Sequence, residues 1–139
     1  MYKSLLILFV LCAAAYANVD FAGFTLVRLD PSVAFTNINI SKGEKIMLQI
    51  ESNPTTGYNW ELVNNNELQS NNVLKFLNDN VNGEYESKAH RQNVVGVGGN
   101  TFMKFEGVNA GKSSIKIQYK RSWETDVLKS VEVEVTVSN

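Results

Sequence analysis

From residue 24 onward, apolar and polar positions alternate with a period of two, as strands do when one face lies on a core. Phe24 to Leu29 and Val33 to Ile38 read as strands on either side of Asp30-Pro31. Lys42-Gly43 turns into Lys45 to Glu51, where Ile46, Leu48 and Ile50 share a face. Tyr58, Trp60 and Leu62 continue the alternation through Asn59 to Val63, and the surrounding pattern assigns Trp60 to the core. Further strands are expected near Val73 to Leu77, over Thr101 to Val108 and over Ser113 to Lys120, with Asn109-Ala110-Gly111 as a turn. The last strand places Val131, Val133, Val135 and Val137 inward, facing the same core as Ile115, Ile117 and Tyr119. Its outward Glu132 and Glu134 are expected to pair with Lys116 and Lys120, worth about 0.2–1 kcal/mol each. The polar run 64–72 is expected to be a plain connection, and 78–100 a long mobile loop. About seven strands with regular turn signals favour an all-β, immunoglobulin-like two-sheet sandwich.

The first 17 residues break this pattern. Lys3 precedes a nearly continuous apolar run from Leu5 to Ala15, and Ala15-Tyr16-Ala17 offers a small-x-small cleavage site. The run is shorter than the roughly 20 residues of a spanning helix. Residues 1–17 are therefore expected to be a cleaved signal peptide, and 18–139 a single domain with no membrane attachment after cleavage. The destination expected is the secretory pathway, with release or retention in an endolysosomal or phagosomal lumen. Asn39-Ile40-Ser41 is then an acceptor for N-glycosylation, whereas Pro54 disqualifies Asn53.

Composition narrows the chemistry. The only cysteine, Cys12, lies in the leader, so the remaining chain has neither a thiol nucleophile nor a disulfide. A thiol-free domain suits a compartment where cysteines stay reduced. His90 is the sole histidine, set among polar residues, and no Gly-x-Ser-x-Gly elbow occurs. Neither a catalytic site, a metal site nor a cofactor is expected. A net charge of −1 without a basic run disfavours nucleic acid and anionic membranes as partners.

The most informative segment is Asn53-Pro54-Thr55-Thr56-Gly57-Tyr58. Pro54 fixes its own φ and extends Asn53, while Gly57 permits the return turn. Between them stand two stiff hydroxyl residues. A glycine-rich stretch follows at 95–100 (Gly96, Val97, Gly98, Gly99), and an Arg121-Ser122-Trp123 turn after that. The three motifs, in this order, resemble the chagasin family of protein inhibitors of papain-like cysteine peptidases. The hexapeptide matches the family motif throughout, the glycine loop matches in character, and Ser122 stands where the family usually has proline.

The resemblance implies a monomeric, reversible inhibitor that fills a peptidase cleft with three loops of an immunoglobulin-like sandwich. Thr55 and Thr56 would approach the catalytic pair, held by Asn53, Pro54, Gly57 and Tyr58. Gly96, Val97, Gly98 and Gly99 would follow one wall, with Arg121 and Trp123 on the other. The competing expectation from the same loops is a secreted carbohydrate- or cell-surface-binding module.

Overall fold

A computed structural model describes residues 22–87 and 98–139. The expected leader and its Cys12, together with His90, Val95, Gly96 and Val97, lie outside the described residues. The strands are β1 (Phe24–Leu29), β2 (Phe35–Ser41), β3 (Lys45–Ser52), β4 (Tyr58–Leu62), β5 (Leu74–Phe76), β6 (Glu84–Ser87), β7 (Gly99–Gly107), β8 (Gly111–Arg121) and β9 (Val127–Ser138). One sheet has the order β1-β3-β7-β5, with β6 also paired to β7; the other has the order β2-β9-β8-β4. The inward faces alternate as expected. Val131, Val133, Val135 and Val137 of β9 are buried, as are Ile46, Leu48 and Ile50 of β3 and Ile115 and Ile117 of β8. Trp60 is buried in the same cluster, and its indole N–H donates to the Glu51 carbonyl at 3.0 Å. That bond satisfies the polar edge of the ring and ties β4 to the end of β3, in the opposite sheet.

The nine strands among the described residues include one, β6, beyond the segments read as strands from the sequence. β6 forms within the segment read as a loop, pairing antiparallel to β7 from Glu84↔Phe102 to Ser87↔Gly99. The run 64–72 is also more than a connection. Asn65–Asn71 form helix α1, closed by Asn72 in the left-handed conformation (φ 57°). Leu68, the single large apolar residue of that run, is buried and draws the turn onto the core. Asn64 fixes its start, donating to the Ser114 carbonyl at 2.7 Å and accepting from the Lys116 backbone N–H at 3.0 Å.

That helix changes the surface ion pairs. Lys116 stands opposite Glu132 in the ladder, but its ammonium lies 3.7 Å from Glu67 of α1. Lys120 lies too far along the ladder to meet either glutamate, since Glu132 already stands opposite Lys116, and past the irregularity after Tyr119 it faces Val127.

Register also fixes which loops share an end. Ser52 of β3 stands beside Gly99 of β7, and Tyr58 of β4 beside Arg121 of β8. The β3–β4 connection, the start of β7 and the β8–β9 turn therefore emerge at one pole. α1 and β5 sit toward the other, where Leu74 pairs with Gly107. Asn39 is exposed on the outer row of edge strand β2, beside Thr136 near the far end of β9.

Candidate functional site: a three-loop tip

The hexapeptide folds as a single 3-10 turn over Pro54–Thr56. The Thr56 N–H donates to the Asn53 carbonyl at 3.3 Å, and the Gly57 N–H to the Pro54 carbonyl at 2.8 Å. Thr56 Oγ1 donates to the Asn53 carbonyl at 2.8 Å, and Thr55 Oγ1 donates to the Asn53 side-chain oxygen. Both hydroxyls are thus engaged inside the turn while both side chains remain exposed. Gly57 ends the turn at φ 88°, a backbone state that side chains on L-residues rarely adopt.

Sheet residues prop this turn from below. The Asn53 N–H donates to the Tyr119 hydroxyl at 3.2 Å. Tyr58 stacks on Tyr119 at 5.4 Å between centroids, and Trp60 lies 4.8 Å from Tyr119 on the core side. The Arg121 guanidinium covers the Tyr58 ring at 4.5 Å, while its Nε donates to the Thr56 carbonyl at 3.2 Å. Glu124 holds the same guanidinium at 3.4 Å. An arginine stacked and bonded on several sides contributes mainly by fixing geometry, since each such contact at an exposed site is worth only about 0.5–1 kcal/mol. The side chain read as a candidate contact therefore also braces the central loop.

The third loop leans on the first. Glu124 N–H donates to the Arg121 carbonyl at 3.1 Å, closing a turn with Ser122 and Trp123 at its centre. Trp123 is 69% exposed, the most exposed large apolar residue among those described. Its ring nevertheless touches the hexapeptide: a Cβ placed on Gly57 would stand 2.6 Å from Trp123 Cη2. Gly57 is thus required twice, for its φ and for the approach of the indole.

The second loop reaches the hexapeptide from the other side. Gly98 (φ 75°) lies against Asn53, where an added Cβ would stand 2.9 Å from the Ser52 carbonyl oxygen and 3.3 Å from Asn53 Cβ. Gly99 lies so close to β6 that a Cβ would stand 2.1 Å from the Glu86 carbonyl oxygen. Both glycines are buried, so they hold segments together instead of presenting a surface.

The structure therefore gathers Asn53 to Tyr58, Gly98, Gly99, Arg121 and Trp123 at one tip. The residues that sequence reasoning passed over are Tyr119 and Glu124. Tyr119 was visible only as an alternating core position, yet its ring and hydroxyl connect the core to the hexapeptide. Among the described residues, no group of histidine, cysteine, aspartate and glutamate is arranged to hold a metal ion.

A small sandwich carrying a stiff, polar central turn beside an exposed indole has the build of a loop-presenting binding protein. Residues 39–137 match the family described as Chagasin family peptidase inhibitor I42, and the chain belongs to that family. It is an inhibitor of peptidases and not an enzyme. Amoebiasin-1 of Entamoeba histolytica is 35% identical over 88 residues, which are 63% of this chain and 76% of that protein. Solved structures share the fold at lower identity. A crystal structure of a cysteine protease inhibitor from Entamoeba histolytica superposes with a TM-score of 0.59 at 21% identity, covering 82% of this chain and 95% of the other. The solution structure of Amebosin gives 0.57 at 24% identity, covering 81% and 96%.

Proposed function

We propose that the chain is a reversible inhibitor of papain-like cysteine peptidases, and that the tip formed by residues 53–58 and 121–123 occupies the enzyme's cleft. One observation carries this reading: the Thr55-Thr56 turn is exposed yet internally bonded and braced by Arg121 and Tyr119. Such a turn loses little conformational freedom on docking, which otherwise costs about 0.5–1.5 kcal/mol per immobilised side chain. Residues 54–56 are coiled into a 3-10 turn, not extended along a substrate track, so no peptide bond of the turn lies in the line a nucleophile needs.

Thr55 and Thr56 then sit over the catalytic Cys–His pair, and Trp123 lies on one wall of the cleft as the apolar anchor. Gly98 closes against Asn53 at the base of the turn and helps to fix its shape. The tip holds no thiol to exchange with the enzyme's own. The leader-like residues 1–17 favour an exported or endolysosomal site of action, where such enzymes work.

Titrating the protein against papain tests the reading. Competitive, stoichiometric inhibition without cleavage of the inhibitor is expected. Thr56→Trp adds bulk at an exposed point of the turn and removes the hydroxyl bond to the Asn53 carbonyl, so it should raise Kd at least about a hundredfold while lowering the unfolding midpoint by only a few degrees. Normal inhibition by Thr56→Trp would remove the turn from the centre of the interface.

A further inference from the structure

A fourth segment reaches this pole. β1 runs parallel to β3 with Leu29 beside Ile50, so continuing that register brings Pro31 level with Ser52, next to the hexapeptide. The chain then crosses to the other sheet and enters β2 alongside β9. Pro31 lines a depression of about 260 Å³ together with Asn53, Gly98, Tyr119 and Lys129. The crossing is thus continuous with the hexapeptide, the glycine segment and the strand that returns from Trp123.

The crossing is also stiff. Val33 N–H donates to the Asp30 carbonyl at 3.0 Å, closing a turn with Pro31 in its second position. The Asp30 carboxylate accepts the Ser32 N–H at 2.9 Å and the Ser32 hydroxyl at 2.7 Å. These bonds hold the carboxyl below its ordinary range. The lock is complete above the usual carboxylate pKa and is lost only as pH falls through the lowered one, so mild acid leaves it closed. On this locked turn Val33 is exposed, and Val127 and Leu128 are exposed where β9 begins beyond Trp123.

Footprint decides the occupant. A specific protein interface takes about 20–30 residues a side. The exposed residues of the hexapeptide and the Arg-Ser-Trp turn fall well short of that. An enzyme seated on Thr55, Thr56 and Trp123 must extend onto adjoining surface, and the Asp30–Val33 turn is the rigid, partly apolar surface that adjoins it.

We propose that the Asp30–Val33 turn is a fourth contact segment, meeting the rim of the bound peptidase through Pro31 and Val33. This rests on the inhibitor reading given above. Binding of the wild-type protein, Val33→Asp, Val33→Lys and Thr56→Trp to thiol-blocked papain separates the two ideas. Both Val33 variants should raise Kd about tenfold, chiefly through faster dissociation, with unchanged unfolding midpoints. Unaltered Kd and dissociation in both, alongside loss in Thr56→Trp, would overturn the fourth contact and leave the inhibitor reading standing. Absence of binding by the wild-type protein would overturn both. A wild-type dimer in sedimentation that Val33→Lys dissolves, with papain binding unchanged, would make the turn a self-interface and also overturn the proposal.

Discussion

Gly57→Ala separates what the backbone needs at this position from what the indole needs. At φ 88° an alanine pays the left-handed penalty, about 1–2 kcal/mol for an L-residue. For a domain of this size that lowers the unfolding midpoint by roughly 3–8 °C. The new methyl would also stand 2.6 Å from Trp123 Cη2 and 3.3 Å from Cζ2, closer than packed carbons tolerate. The indole is 69% exposed, so it can swing away with little further loss of stability. If the indole anchors on the cleft wall as proposed, swinging away removes it, and losing a tryptophan anchor costs about 2 kcal/mol, a roughly thirtyfold rise in Kd. The two costs can be told apart by making Gly57→Ala in the wild-type and Trp123→Ala backgrounds. Thermal unfolding should fall by the same amount in both. The inhibition constant against papain should rise markedly only where Trp123 is present. An equal loss of inhibition in both backgrounds would refute the indole contact as the route, and unchanged stability would refute the backbone argument.

Ser122 occupies the second position of the turn closed by Glu124 N–H and the Arg121 carbonyl, where proline's fixed φ is accommodated. Ser122→Pro should therefore stabilise the protein by about 0.4–1 kcal/mol and maintain or tighten inhibition; a large loss of affinity would mean that the turn changes shape on binding. Leu68→Ala at the buried face of α1 should cost about 2–5 kcal/mol in urea unfolding, yet leave Kd of the folded protein unchanged, because α1 packs toward the opposite pole. A matching rise in Kd would show that the helix supports the tip.

What was legible in the chain followed from period and from unusual backbone residues. The valines at 131, 133, 135 and 137 can satisfy only a strand with one buried face, so that element and its orientation were open to inspection. Pro54 and Gly57 announced a tight turn for the same reason: few other residues accept those dihedrals. Helix α1 was hidden because its polar run holds one large apolar residue, Leu68, too few to declare a period. β6 was hidden because its inward residue is Glu86, buried at 4% exposure, where alternation calls for an apolar side chain. The double role of Arg121 was equally out of reach, since its bond to the Thr56 carbonyl spans 65 positions in sequence.

The tip depends on both sheets, and this connects the fold to inhibition. The hexapeptide leaves β3 in one sheet and enters β4 in the other, so the distance between the sheets sets the span of the turn. From the β4 sheet, Tyr119 and Arg121 hold it through the Asn53 N–H and the Thr56 carbonyl. From the β3 sheet, Gly98 closes against Asn53. Asn53 is thus gripped from both layers, and Trp60 ties the same layers together directly below through the Glu51 carbonyl. A change in sheet separation would pull these grips apart before it disturbed the short bonds within the turn. Core packing around Trp60 therefore sets the shape of the surface offered to a partner, even though the indole of Trp60 never reaches that surface.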